Sequence, residues 1–410
     1  MKEAFDAVRA GGESSLLDQM LKGINLGAGT VGQTISGAAA LRADSRFNTN
    51  LANGNYRQVA ATLNTLNYST ALNPNLPPIP VNVNGAVMRV NGFSENFIVT
   101  NPQFNMINWI SDNGSNNYHA FNAQVTIRPA RGVTWQSTYT WSKNLGISAI
   151  IGQNGNSLGA TFTNPVDRKP DYTLMPDSRR HDFRTNGTFA LPIGPGQLLL
   201  RNSSGALARI AEGWQMSWIV NLNTGQPLSI AAQNMLYANG VPDIVGPFDR
   251  KSGKAQFSGG PSGAYFSRDE IKLVADPQCG AITQSLRALC SLSAVADAKT
   301  GQILLQNPLP GTRGTLGQRA IEAPGRWRLD ASLGKSIKIT ESKSLQIRMD
   351  AQNVLNHPEP QLCALTACTT STGGSLLNLD INNPNFGLFT GPQAKSLGHR
   401  EFQGQLRLNF

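Results

Sequence analysis

The residues best suited to chemistry in this sequence form one short cluster, Arg179-Arg180-His181-Asp182, with Arg184 close behind. A histidine beside a carboxylate could serve as a general acid or base. The cluster opens a segment of alternating apolar and polar residues, however, so basic residues at the start of a strand are the simpler interpretation. No G-x-S-x-G motif occurs, and no glycine-rich phosphate loop is followed by a lysine. The sequence therefore predicts no enzyme, no catalytic residue and no cofactor.

The four cysteines fall into two local pairs, Cys279 with Cys290 and Cys363 with Cys368. A zinc site would favour C-x2-C spacing together with a second such pair or with histidines, and no histidine flanks these positions. Both pairs lie in turn-rich sequence. We therefore predict two disulfides within loops, in an oxidising compartment, and no metal site.

Composition limits the kind of fold that could position these residues. A chain of 410 residues could form two or three ordinary domains or one large β domain. Only 15% of the residues are charged, and the 41 glycines and 23 prolines favour strands and long loops over helices. No run of about 18 apolar residues is present, which argues against a transmembrane helix. A transmembrane strand needs only about 9–11 alternating residues.

The distribution of charge argues against a nucleic-acid-binding protein, and the N-terminal residues argue against a signal peptide. A charge of +10 would suit nucleic acid, but the basic residues are scattered, so no nucleic-acid partner is predicted. The first residues lack the apolar stretch of a signal peptide. Residues 1–24 instead show helical spacing, with Ser14 or Ser15 as a cap, and residues 25–83 are rich in glycine, asparagine and proline. We expect 1–83 to be a helical and loop segment.

Beyond residue 83 the sequence alternates between apolar and polar residues with a period of two, which is typical of strands with one apolar face. An eighth strand is expected near 84–100, before the segments in which the pattern is clear. Those seven segments are 117–129, 132–144, 181–194, 213–230, 326–339, 344–356 and 401–410.

Connection lengths and aromatic residues distinguish a membrane barrel from a soluble sheet. Short turns on one side and long loops on the other are typical of outer-membrane barrels, as are aromatic girdles at both interfaces. The tight or intermediate connections are 129–132, 192–212 and 340–343, and the long ones are 144–180, 231–325 and 356–396. The girdle residues are Trp135, Tyr139, Trp141, Trp214, Trp218, Trp327 and Phe402.

The expected fold is all-β. Residues 84–410 would supply the C-terminal strands of a partial antiparallel transmembrane β-barrel, with long extracellular loops, short periplasmic turns and a small helical N-terminal segment. Charges on its inner face would pair with one another in a hydrated lumen, where each exposed pair adds only about 0–1 kcal/mol. The residues predicted to face the lumen are Arg128, Arg184, Asp182, Arg328, Asp330, Arg348, Asp350 and Arg407.

Several segments resemble consecutive barrel motifs of TonB-dependent outer-membrane receptors of the Oar-like group. They are "NYHAFNAQVTIRPARGVTWQSTYTWSKNLG", "DSRRHDFRTNGTFALPIG", "GWQMSWIVNLNTGQPLSI" and "LQIRMDAQNVLNHP". The terminal "REFQGQLRLNF" is similar to that family's last strand, which implies that the barrel-assembly machinery reads Phe410 as the C-terminal aromatic. The family carries a signal peptide, a plug with a TonB box and about 22 strands. This sequence shows seven or eight such strands and no recognisable plug motif. The chain is therefore expected to be the C-terminal part of such a barrel.

The resemblance implies energised uptake of a bulky nutrient across the outer membrane of a Gram-negative bacterium, with specificity in the long loops. TonB would act through a plug, and outer-membrane lipid or lipopolysaccharide would surround the barrel. Two alternatives stay open. One is a soluble secreted β-sheet protein for binding or adhesion, which would fold without detergent. The other is a small passive pore of about eight strands.

The alternation predicts that two neighbouring positions differ in their tolerance of arginine. Gln136→Arg places the charge on the wet face and should leave barrel assembly unchanged. Tyr139→Arg places it on the lipid face, where the cost at the midplane is about 2–4 kcal/mol, and should impair assembly. The measurement is the fraction of each variant that reaches the heat-modifiable form in detergent. Equal fractions would contradict the assignment of faces.

Overall fold

Seven long strands form one antiparallel sheet, in the order in which they follow along the chain. The computed structural model describes residues 1–66, 86–94, 96–101, 114–130, 132–147, 150–151, 158–159, 167–233, 240–257, 262–340, 342–357, 359–360, 362, 377–390 and 399–410. Each of the seven alternating segments overlaps one of the strands over most of its length, so this prediction is confirmed. The strands are β1 (Asn116–Ala130), β2 (Val133–Ile147), β3 (His181–Ala190), β4 (Trp214–Asn223), β5 (Arg326–Lys338), β6 (Ser344–Gln352) and β7 (Glu401–Asn409).

The connections between these strands alternate in length, as the sequence predicts. Because neighbouring strands are antiparallel, consecutive connections lie at opposite ends of the sheet. We call the end with the shorter connections the turn end and the other the loop end. The turn end holds 131–132, 191–213 and 339–343, and the loop end holds 148–180, 224–325 and 353–400.

Cross-strand pairing gives the sheet two faces of opposite chemistry. Thr140 pairs with Asp182 and Tyr139 with Phe183, so polar residues align with polar ones and rings with rings. Successive residues point to opposite sides of a strand, and one register therefore fixes both faces. The aromatic face carries Trp135, Tyr139, Trp141, Phe183, Trp218, Trp327 and Phe402, and the polar face carries Thr140, Asp182, Arg184, Asn221, Asp330, Arg348 and Gln405.

The strands are staggered in one direction across the sheet. A single row of paired residues starts near the turn end of β2, at Trp135, and passes through Gly187 and Trp218. It continues through β5 and β6 and reaches the loop end of β7, at Phe402. A progressive stagger of this kind is what tilted strands need when a sheet curves toward a barrel.

Gly187 gives Trp218 room on the aromatic face. A Cβ at Gly187 would lie 2.5 Å from the Cζ2 atom of Trp218 and 2.5 Å from the carbonyl oxygen of Thr134. Glycine inside a strand often marks such a close approach. The indole therefore lies over the backbone of β3, beside Trp135, whose ring nitrogen donates to Thr185 Oγ1 at 2.7 Å.

Short helices form the N-terminal region. The helices within residues 1–24 are confirmed, and the Ser14 hydroxyl accepts a hydrogen bond from the amide of Leu17. Helices also form within residues 37–64, although the glycine, asparagine and proline there are typical of loop. The strand expected near 84–100 is wrong, because a helix lies at Ala86–Val90. The helices are α1 (Lys2–Ala10), α2 (Ser15–Met20), α3 (Gly37–Ala43), α4 (Asn48–Ala52), α5 (Tyr56–Asn64) and α6 (Ala86–Val90).

The longest connection folds rather than forming an irregular loop. It contributes a four-stranded antiparallel sheet of Ile271–Ala275, Ser293–Asp297, Ile303–Gln306 and Asp243–Ile244. The remaining short helices are α7 (Gly205–Ala211), α8 (Pro277–Ala281) and α9 (Gln284–Arg287), and Lys169–Asp171 is a 3-10 turn. Short paired segments are Ile150–Ile151 with Leu158–Gly159, Tyr172–Leu174 with β2, Pro227–Leu228 with Ile321–Glu322, and Gln256–Phe257, Gly263–Ala264 and Leu388–Phe389 together.

The N-terminal helices and the long connections together form a cap at the loop end, built from the described residues of 1–66, 240–325 and 377–390. One core joins α1 to α5 with Ile282 and Leu286 of the α8–α9 region. A second core lies around Phe266, Leu305 and Phe389. Tertiary packing rather than length stabilises helices this short, because isolated short helices are marginal in water.

A disulfide closes the α8–α9 segment of the cap. It joins Cys279 and Cys290, which are 11 residues apart, with their Cα atoms at 5.6 Å. Cys363 and Cys368, the other predicted pair, lie outside the described residues. The bridged segment contacts the N-terminal helices, since the Asn53 side chain bonds the carbonyl of Leu289 and the amide of Ser291.

Gly187→Val should impair assembly, because the new methyl groups would meet Trp218 and the backbone of β2. Overpacking typically costs about 1–3 kcal/mol, and backbone contact leaves little room for relaxation. Gly404→Val is the matched control, since a Cβ on Gly404 of β7 meets open space. The measurement is the urea midpoint of the heat-modifiable form in detergent. A lower midpoint for Gly404→Val than for Gly187→Val would contradict this packing.

Removing the bridge with Cys279→Ser and Cys290→Ser should loosen the cap and leave the long sheet intact. A loop of this size is stabilised by about 2–3 kcal/mol through its closure. We expect faster amide hydrogen exchange over 276–292 and in α4, with unchanged exchange in β1 to β7. Faster exchange throughout the long strands would show that cap and sheet unfold together.

Candidate functional site

The polar face collects most of the charges that the sequence predicts for a lumen. Arg184 of β3 and Arg328 of β5 both pair with Asn221 of β4, and so lie on the same side. The pairing of β5, β6 and β7 extends this face to the C-terminal strand. Register thus places seven predicted residues together: Asp182, Arg184, Arg328, Asp330, Arg348, Asp350 and Arg407. Arg128 lies where the β1–β2 register shifts, so pairing does not assign it to a face.

Three ion pairs run along individual strands of the polar face. Each joins residues two positions apart, which point to the same side of a strand. The Nε–Oδ1 distances are 2.9 Å for Arg184–Asp182, 2.8 Å for Arg328–Asp330 and 2.8 Å for Arg348–Asp350. All three pairs are partly exposed, and such pairs add only about 0–1 kcal/mol each. They fix where charge is displayed more than they stabilise the sheet.

Asp330 has the most extensive contacts of these groups. Besides Arg328, it accepts a hydrogen bond from the amide of Asn353 at 2.7 Å. Arg328 also donates to the side chain of Gln352 at 2.9 Å. The pair therefore ties the loop end of β5 to the chain that leaves β6. Asp330 therefore both carries charge on the polar face and holds the backbone at the loop end of the sheet.

The aromatic face holds the predicted girdle residues, and its apolar side chains are open to the surroundings. Register places Trp135, Tyr139 and Trp141 on this side of β2. Trp214, Trp218, Trp327 and Phe402 share it on later strands. Leu406 is 70% exposed and Phe402 is 61% exposed, both on the last strand. A folded protein in water rarely displays so continuous an apolar surface.

The acid–base cluster of the sequence is divided between different surroundings. His181 Nδ1 lies 2.8 Å from the Tyr139 hydroxyl on the aromatic face, whereas Asp182 pairs with Arg184 on the polar face. Arg180 reaches the cap and pairs with Glu322 at 3.4 Å. Histidine and carboxylate therefore do not form a catalytic pair. Among the described residues, no group of three or more His, Cys, Asp or Glu side chains could hold a metal ion.

Sequence reasoning missed the polar groups that hold the cap together. The side-chain nitrogen of Asn307, Nδ2, donates to Asp276 Oδ2 at 3.0 Å and to the Ser293 carbonyl at 2.9 Å, in the buried interior. Gln278 joins this network to the N-terminal helices, because its Oε1 accepts from Arg9 Nη1 at 3.2 Å. Burial lowers the pKa of Arg9, against the opposing charges of nearby acidic groups. Isolated polar residues in glycine-rich sequence have no periodicity that would reveal such a network.

Two further cap residues lie near the loop end of the sheet. Arg319 donates to Thr173 Oγ1 at 2.8 Å and to the Leu174 carbonyl at 2.9 Å, and burial lowers its pKa. Tyr265 is buried and donates to the carbonyl oxygen of Glu322. Burial, with a smaller contribution from the Glu322 charge, raises the pKa of Tyr265 to about 12. Arg319 thus joins the cap to the segment that pairs with β2, whereas the Tyr265–Glu322 hydrogen bond lies within the cap.

Comparison with known proteins agrees with this geometry. No helix among the described residues has the length and apolarity that crossing a membrane requires. No curated protein and no solved structure matches the chain. A family model described as an outer membrane beta barrel domain matches residues 46–403, which is most of the 410 residues. The chain therefore belongs to the outer membrane beta barrel domain family, and it is a protein of the outer membrane of a Gram-negative bacterium.

Proposed function

We propose that this chain forms part of the wall of an outer-membrane barrel that takes up a bulky nutrient with energy from the TonB system. The observation that carries the proposal is the separation of the two faces over seven strands. Charged pairs occupy one face and exposed rings the other, as a wall between lumen and lipid requires. The proposal includes no enzymatic step and no cofactor.

Closure of the barrel is part of the proposal. Among the described residues, β1 pairs only with β2 and β7 only with β6, so the outer edge of each is open. Hydrocarbon requires every backbone N–H and C=O to have a partner, and closure alone removes both edges. A barrel of about eight strands has room only for its own side chains or for one small ligand. Passage of a bulky solute therefore favours additional strands between these edges over a small passive pore.

The cap would supply specificity at the outer mouth. Its two buried cores and its disulfide hold the long connections in one arrangement, so a ligand would meet a preformed surface. We place the loop end outside the cell and the turn end in the periplasm, because long extracellular loops and short periplasmic turns are the common arrangement. Any TonB contact would come through a plug domain within the same barrel.

The soluble binding protein is the weaker candidate because of the aromatic face. Val125, Met349 and Leu406 are each more than half exposed, on strands at both edges and between them. In water such a surface would promote aggregation, whereas in lipid it is an ordinary barrel exterior.

Refolding separates the membrane barrel from the soluble alternative. The chain in detergent micelles should give a compact band on a gel that resists SDS until it is heated, and the chain in plain buffer should not. Detergent supplies the apolar surroundings that the aromatic face needs. A folded product in buffer alone would favour the soluble protein.

Uptake separates energised transport from a passive pore. A strain that lacks the gene should lose uptake of at least one solute from a mixture of oligosaccharides and oligopeptides that the parent strain depletes. The parent strain should also lose this uptake when its proton-motive force is collapsed, because TonB needs that force. Uptake by the parent strain that persists after the collapse would identify a passive pore.

A further inference from the structure

A cavity of about 770 Å³ lies at the loop end, between the rim of the sheet and the cap. The sheet contributes His181, Trp327 and, just beyond β6, His357. The cap contributes Arg250, Lys251 and Lys254, together with the buried ring of Tyr265. The cavity belongs to the side of the aromatic face, because register places both His181 and Trp327 on that face. It is therefore separate from the charged polar face.

The cavity is strongly cationic. Its lining includes Arg180, Arg250, Lys251 and Lys254, and Glu322 is the one acidic residue among the described lining. Arg180 pairs with Glu322 at 3.4 Å, and Arg250, Lys251 and Lys254 form no ion pair with the described residues. Three exposed cations around one concavity favour a ligand with a compact, multiply charged anionic group. Phosphate fits this description, since its oxygens accept several charge-assisted hydrogen bonds at once.

His357 contributes an aromatic ring to the lining of the cavity. Its ring packs against Trp327, with the centroids 3.9 Å apart, and its Nδ1 atom is buried. Within the described part of the chain, this atom has no hydrogen-bond partner. Because this atom is not exposed to the cavity, His357 contributes ring packing against Trp327 and no hydrogen bond to a ligand.

An apolar groove continues from this cavity along the outside of the sheet. The groove has a volume of about 460 Å³ and shares His181 and Trp327 with the cavity. It then follows Phe183 of β3 and Leu222 of β4, both on the aromatic face. The same ligand would thus meet cations first and then hydrocarbon side chains. A free anion would contact only the cationic cavity. A lipid with an anionic headgroup would contact the cavity with its headgroup and the groove with an acyl chain.

We propose that this cavity binds the phosphate-bearing headgroup of an anionic lipid of the lipid A class, with an acyl chain in the groove along Phe183 and Leu222. The site goes beyond nutrient uptake, because it lies on the lipid side of the wall and not on the polar face. The proposed lipid site relies on the membrane location of the family and on the cavity itself. Loss of TonB-dependent uptake would leave it unaffected.

The test compares two variants that each remove two positive charges from the cap. Lys251→Gln with Lys254→Gln changes the cavity, and Lys272→Gln with Lys299→Gln changes exposed residues outside its lining. Each chain is refolded in neutral detergent, and heat-modifiable mobility establishes its fold. Binding is then titrated by native mass spectrometry with three probes: bis-phosphorylated lipid A, the same lipid without phosphates, and inorganic phosphate.

The cavity variant should bind lipid A about tenfold more weakly or worse, and the control variant should match the original chain. Dephosphorylated lipid A and inorganic phosphate should each bind at least about tenfold more weakly than intact lipid A. Equal binding of lipid A by both variants would overturn the site. Inorganic phosphate bound as tightly as lipid A would identify an anion site without a lipid. Nutrient uptake, measured in parallel, should be the same for both variants.

Discussion

The antiparallel hydrogen-bond ladder of the long sheet is the constraint on which the rest of the structure depends. Because strand pairing has a period of two, fixing the partner of one residue fixes the face of every other residue. Trp135 beside Gly187 and Thr140 beside Asp182 are consequences of one register. A shift by a single residue would place Arg184 among the rings and Trp141 among the charges. The chemistry of both faces is therefore as firmly determined as the backbone pairing.

Local pattern predicted the sheet and failed to predict the cap, for physical reasons. Strands with one apolar face show their period within about ten residues, so "GVTWQSTYTWSKN" was sufficient to assign β2 and its two faces. The cap core instead combines Phe5, Leu41 and Val59 with Leu286, which is far away in the sequence. Helices of five to nine residues in glycine-rich sequence have too few turns for a clear period. Among the candidate site residues, pairing assigned the strand charges, while His357 and Lys254 became related only through tertiary structure.

Charge is used differently on the two sides of the loop end. On the polar face Arg184, Arg328 and Arg348 each have an aspartate two residues away, so most of the displayed charge is balanced. Around the cavity on the other side, three cations have no such partner among the described residues. Balanced pairs would suit the uptake proposed for this face, because solutes would pass it without being trapped. An unbalanced cluster beside hydrocarbon suits a surface that retains an anionic amphiphile, and the wall would thereby distinguish what moves through it from what surrounds it.

The hydrogen bond between Arg9 and Gln278 joins residues 269 positions apart. Contacts of such long range form slowly, because the entropy of closing the intervening chain must be lost before the contact contributes anything. The hairpins β1–β2, β3–β4 and β5–β6 need no such closure and can form first. The cap would then mature last, after its two halves have been brought to the same end of the sheet. A completed cap would therefore indicate that the strands beneath it have already paired.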